Sequence, residues 1–186
     1  MTDGLLGPAA PSFDEPLEML DACHGRIRAQ LHTLGRLASH LPVHGADAPA
    51  REAAQGVLRY FSTAAVNHHA DEEDDLFPAL QASAVGAGEV ALVESLIQRI
   101  LADHRRMDEK RDAVLAKLDL VVAAQPGECR EVLSAAEVAA LADLYLPHIE
   151  LETRELLPLA KRLLSPAQME RLGRSMAARR GAVFPD

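Results

Sequence analysis

Two His-x-x-x-Glu pairs lie 80 residues apart in this chain: His68 with Glu72 in NHHADEEDDLFP, and His148 with Glu152 in PHIELETRELLP. On a helix, positions i and i+4 share a face and stand about 6 Å apart along the axis. An imidazole placed there can bind a metal ion while the carboxylate reaches across to a second one. One such pair alone is commonly a surface contact. A pair that recurs calls for more, and the same offset brings His24 onto His104, Pro78 onto Pro158, Leu20 onto Ile100, Arg26 onto Arg106, Ile27 onto Met107 and Leu76 onto Leu156. His69 meets Ile149 and Glu73 meets Thr153. The register therefore selects His68 and Glu72 as the working pair and makes His69 and Glu73 their neighbours.

Turn positions give an independent check. In antiparallel helices, residues at one height lie equidistant from the turn between them. The pairs 68/72 and 148/152 centre on 70 and 150. The midpoint of 24 and 70 is 47, inside the Gly45–Pro49 break; that of 70 and 104 is 87, within Gly86-Ala-Gly88; that of 104 and 150 is 127, the glycine of Pro126-Gly127. All six residues should share one layer, roughly 30 Å from each turn at about 1.5 Å per residue.

The chemistry this predicts is a two-metal centre. His24 and His68 hold one ion, His104 and His148 the other, and Glu72 and Glu152 bridge them. An oxo or hydroxo bridge would leave each metal about five-coordinate, with room for a small ligand. Nitrogen and oxygen donors without thiolate suit iron, with manganese or zinc as lesser candidates. Asp71, Glu73, Asp74 and Asp75 read as solvated or as supports for the ligands. His32, His40 and His44 read as surface groups, and Cys23, about 100° round the helix from His24, as a thiol at the core edge.

The elements that must carry this layer are legible in the apolar spacing. Asp14-Glu15-Pro16 opens a helix whose Leu17, Leu20, Ile27, Leu31, Leu34, Leu37 and Leu41 recur at helical intervals until Pro42 to Pro49 breaks it. A second runs from about Ala50 to Val85, bent or interrupted at Pro78. A third runs from about Glu89 to Ala124, and a fourth from the capping box Ser134-Ala-Ala-Glu137 to about Leu164. Ser165-Pro166 starts a short fifth. The expected fold is all-α, an up-down-up-down four-helix bundle over residues 14–164. A flexible leader (1–13) precedes it, and a short C-terminal helix and tail (165–186) follow.

Composition agrees. The chain is 48% apolar but only 3% aromatic, a mix that favours packed helices over sheets. A net charge of −9 argues against nucleic-acid binding, since a phosphate backbone would be repelled. No apolar run approaches a membrane span and the N-terminus has no basic-then-apolar signal pattern, so no membrane partner is expected. Two cysteines 106 positions apart, with no CxxC, fit free thiols in the cytoplasm.

His24, HHADEEDDLFP, His104 in ADHRRM and HIELETRELLP together resemble the hemerythrin-like (HHE cation-binding) family, over residues of about 14 to 164. The resemblance implies a four-helix bundle around a non-haem di-iron centre. It also implies a function among oxygen carriage, oxygen or iron sensing, reactions with nitric oxide or peroxide, and repair of iron centres. Two departures bear on the choice. The family's oxygen carriers have a second histidine one turn after that of the third helix, where this chain has Asp108. They end in HxxxxD, whereas this chain has His148 and Glu152 in HxxxE. The expectation is therefore a protein that binds or reacts with O₂, peroxide or NO in iron metabolism or in oxidative or nitrosative stress. The alternative is a non-catalytic iron-sensing or iron-holding module.

Overall fold

A computed structural model describes residues 11–185; most of the expected leader lies outside them. Four helical rods run antiparallel. The first is α1 (Pro16–His44). The second is built from α2 (Ala48–Ser62), α3 (Ala64–Ala70), a π-helical segment (Asp71–Leu76) and α4 (Phe77–Ala87). The third is α5 (Val90–Ala123). The fourth is α6 (Ala135–Leu151), a second π-helical segment (Glu152–Leu156) and α7 (Leu157–Leu163). Helix α1 packs on α2 and α6, and α5 packs on α2, α4 and α6, which closes the up-down-up-down bundle. A final helix, α8 (Pro166–Arg179), folds back onto α1 and the first π-helical segment.

The ends follow from local chemistry. Ser134 and Glu137 form the expected capping box on α6, and Ser165 with Gln168 forms another on α8. Helix α1 continues through Pro42 to His44, past the expected break. Arg130 donates to the carbonyls of Pro42 and Val43, satisfying groups that a helix end leaves open. Gly45 then turns the chain at φ +67, and a Cβ there would meet the Gly127 carbonyl carbon at 2.5 Å. The α1–α2 and α5–α6 turns thus touch at one end of the bundle.

Pro78 does not bend the second rod where it stands. It sits in the first turn of α4, and the irregularity lies just before it. The Phe77 amide donates to Glu72 O, and the Leu157 amide to Glu152 O, each five residues back. A proline ring clashes with the carbonyl four residues earlier in a regular helix. Widening that turn to π geometry relieves the clash, and both rods do so at equivalent positions, one turn before Pro78 and Pro158.

Two apolar clusters fill the interior. Leu34, Leu41, Phe61, Leu118 and Tyr145 belong to the one towards the Gly45 end. Leu20, Leu80, Ile97, Ile100 and Leu156 belong to the other, which Leu172 and Met176 of α8 join. Between them lies a buried polar layer. Among the described residues, no helix is long and apolar enough to cross a membrane.

Candidate metal centre

The layer gathers His24 from α1, His68 and His69 from α3, Glu72 and Glu152 from the starts of the two π-helical turns, His104 from α5 and His148 from α6. All seven are buried. Glu152 lies between the two sides. Its Oε2 is 2.9 Å from His24 Nε2 and 3.8 Å from His68 Nε2, while its Oε1 is 2.8 Å from His148 Nε2 and 3.7 Å from His104 Nε2. Glu72 divides itself likewise, with Oε1 3.7 Å from His68 Nε2 and Oε2 3.4 Å from His104 Nε2. The donor atoms fall into two groups able to hold a cation: His24, His68, Glu72 and Glu152, and His69, His104 and His148.

The six residues selected by the 80-residue register thus stand together, and His69 stands with them. Its ring stacks on that of His104 with centroids 3.9 Å apart. The register hid it because its counterpart is Ile149, a residue of the apolar core. The doubled histidine was the available signal. Adjacent helical positions differ by about 100°, yet the inward stripe of a bundle helix is about that wide, so both rings can face the centre.

A further ring of side chains holds the imidazoles in orientation. Nδ1 of His24 is hydrogen-bonded with Thr153 Oγ1 at 3.1 Å, and Nδ1 of His104 with the Glu73 carboxylate Oε1 at 2.6 Å. Glu73 and Thr153 are themselves related by the 80-residue offset, so the pseudo-symmetry extends to residues of unlike type. Asp108 faces Nδ1 of His69 at 3.7 Å and accepts from Arg111 at 2.6 Å, while Asp103 faces Nδ1 of His148 at 3.9 Å. Cys23 lies beside His68 and accepts a hydrogen bond from Arg26 at 3.3 Å. Such outer partners fix ring orientation and raise ligand basicity.

Asp71 takes another part. It is fully buried, yet both its oxygens are occupied by Arg179 and Arg180 at the end of α8, and Arg179 also reaches Asp74 and Asp75. The acidic run in DEEDD is therefore divided. Glu72 points into the layer, Glu73 supports His104, and the three aspartates bind the C-terminal helix.

Charge shapes the protonation of the layer. Burial opposes charge on His68, but the Glu72 and Glu152 carboxylates and the Cys23 sulfur outweigh it and hold the imidazole well above its usual range. His104 is likewise penalised by burial and lifted by Glu152 and Glu72, to about 10. Burial and the charges on His104 and His68 push His69 well below its ordinary value. Burial would raise the Glu152 carboxyl, but His148, His104 and His24 hold it well below the usual carboxylate range.

The fit to a cation can be read from the unpartnered atoms. Among the described residues, Nε2 of His24, His68, His69, His104 and His148 and both oxygens of Glu72 and of Glu152 find no hydrogen-bond partner. Leaving such groups buried and unpaired is costly. They converge on one another, as ligands round positive charge do. Nitrogen and carboxylate donors without thiolate fit iron, manganese or zinc.

A four-helix bundle with a histidine–carboxylate layer between two apolar cores is the architecture in which bundle proteins hold metal in their interior. Residues 15–160, most of the chain, match the hemerythrin HHE cation binding domain, and the protein belongs to that family. It is also similar to an uncharacterised protein of Haemophilus influenzae (strain Rd), with 28% identity over 169 residues that span 91% of this chain and 92% of that one.

Proposed function

We propose that this is a non-haem di-iron protein that binds or reacts with O₂, peroxide or NO, in a cytoplasmic response to iron, oxidative or nitrosative stress. The observation that carries the reading is the pair of carboxylates, each offering one oxygen to either side of the layer. His24 and His68 would hold one iron, His69, His104 and His148 the other, and Glu72 and Glu152 would bridge them. Bound iron would supply one-electron redox change and Lewis acidity toward a small ligand. The His24–His68 side has one imidazole fewer, so a ligand has more room there. Thr153 and Glu73 keep Nε2 of His24 and His104 aimed inward, and the apolar clusters on either side exclude water.

Asp108 bears on reversibility. It lies against the outer nitrogen of His69 and adds no imidazole to the layer. With His69 the layer offers five imidazoles and two carboxylates, but the fifth imidazole comes from the second rod rather than the third, and this departure from the oxygen carriers' arrangement favours reaction over reversible carriage. Rapid mixing of the diferrous protein with oxygenated buffer should give fast, irreversible oxidation. Uptake of O₂ that reverses on degassing would overturn this in favour of carriage.

A second reading is an iron-sensing or iron-holding module without turnover. The link from the Glu72 segment through Asp71 to Arg179 and Arg180 favours it, because metal occupancy could then be felt at the C-terminal helix. Consumption of peroxide by the iron form, abolished in His104→Ala, supports the first reading; no consumption supports the second.

A further inference from the structure

Three histidines lie outside the buried layer, and two of them meet a carboxylate at the opposite end of α1. His40 and His44 are four residues apart in its last turns, on one face, with ring centroids 4.3 Å apart. After the Gly45 turn the chain returns Asp47 to His40, and both carboxylate oxygens lie 3.0 Å from His40 Nε2. One oxygen also accepts the Ala50 amide at 2.9 Å as the N-cap of α2. The backbone at this corner is fixed from outside. The Ala46 amide donates to Glu128 O at 2.7 Å, and the Gly45 backbone abuts Gly127.

We infer that His40, His44 and Asp47 form a second, separate site for a single divalent transition ion of the zinc class. Donor atoms of all three lie within 4.8 Å of one another. Zinc binds imidazole nitrogen and carboxylate oxygen at about 2.0–2.2 Å, which puts neighbouring ligand atoms of a tetrahedron roughly 3.3 Å apart. The His40–Asp47 spacing is already close to that edge. His44 is exposed, so its ring is free to turn toward the ion, and Asp47 is held in place by its capping bond. The cleft beside them, about 570 Å³, is lined by His32, Arg36, Ser39 and Val43 together with the two histidines. It leaves the remaining coordination position to water.

Composition and distance set this site apart from the buried layer. Two imidazoles, one carboxylate and open solvent make a three-ligand site of exchangeable character, and Arg36 nearby limits its affinity. His40 follows His24 by 16 residues on the same helix, about 24 Å. An ion bound here bridges none of the buried donors. Instead it ties the end of α1 to the start of α2 across their turn.

The test uses full-length protein with its buried centre already loaded with iron. Equilibrium dialysis against Zn²⁺ should add one zinc per chain without displacing iron. Co²⁺ should give visible absorption of a low-coordinate site, bleached by Zn²⁺. Losing a ligand should weaken zinc at least as much as losing a ligand's hydrogen-bond partner does, roughly 10- to 100-fold. His44→Ala should do this with iron content unchanged. Asp47→Asn should do it too, and because asparagine also caps helices well, the fold is kept. Failure of the wild-type protein to take additional zinc, or equal uptake by the His40→Ala/His44→Ala variant, would overturn the assignment. The design rests on the proposed iron loading only in that the buried centre must be filled, and zinc that enters the layer instead is recognised by loss of iron, whereas zinc bound here is lost in His44→Ala with iron unchanged.

Discussion

His68 and His69 are adjacent in sequence and serve different sides of one layer, which makes them the sharpest test of its anatomy. His68→Ala or Glu72→Ala should abolish binding of the metal pair, since Glu72 reaches both groups. His69→Ala should selectively weaken the ion on the His104–His148 side. Glu73→Ala should keep both ions but lower affinity roughly 10- to 100-fold, because Glu73 only orients His104. Metal analysis of purified variants decides it; full occupancy in His69→Ala would show that this ring only packs. Protonation offers a second test of the same atoms. His68 and His104 are held above neutrality, so at pH 7 both carry a proton that a metal must displace, while His69 is neutral and Glu152 already ionised. Metal uptake should therefore release protons, and affinity should rise from pH 6 to 8. Calorimetry in buffers of different ionisation enthalpy measures the release, and a value near zero would contradict these charge states.

Among the elements, the two π-helical turns and α8 depend on one another most. Glu72 lies in a widened turn that Pro78 favours, and Asp71, its neighbour, is held by Arg179 and Arg180. Removing both arginines leaves a fully buried carboxylate without its counter-charge, which costs about 3–5 kcal/mol when a buried pair is broken. Arg179→Ala/Arg180→Ala should lower stability by about that much in urea unfolding. Asp71→Asn, which removes the charge itself, should cost less. An unchanged midpoint for the double arginine variant would mean that α8 is not anchored through Asp71. This linkage was beyond reach of the sequence. The partners are more than 100 positions apart, and DEEDD reads as a solvated face until the fold brings arginine against it. By contrast, the α6 and α8 caps were legible because Ser134 with Glu137 and Ser165-Pro166 act within a single turn. Pro42 misled, because α1 runs only two residues beyond it and Arg130 donates to the Pro42 and Val43 carbonyls that the helix end leaves open.

For the molecule as a whole, the polar layer is a seam between two apolar clusters, so four antiparallel rods are held together on both sides of it. That arrangement explains how much of the layer could be read from the chain. An antiparallel bundle converts distance from a turn into height, and a repeated half-sequence marks the positions that matter. His24, His68, Glu72, His104, His148 and Glu152 obey both rules. His69 obeys neither, being the place where the two halves differ, and only packing reveals it. On the function proposed above, this layer holds a pair of irons. The direct measurement is metal content per chain, with Mössbauer spectroscopy, after anaerobic loading with Fe(II) and removal of unbound metal. Two irons per chain in two unequal environments are predicted, one for the His24–His68 side and one for the His69–His104–His148 side. A single zinc per chain with no uptake of iron under those conditions would contradict a di-iron layer.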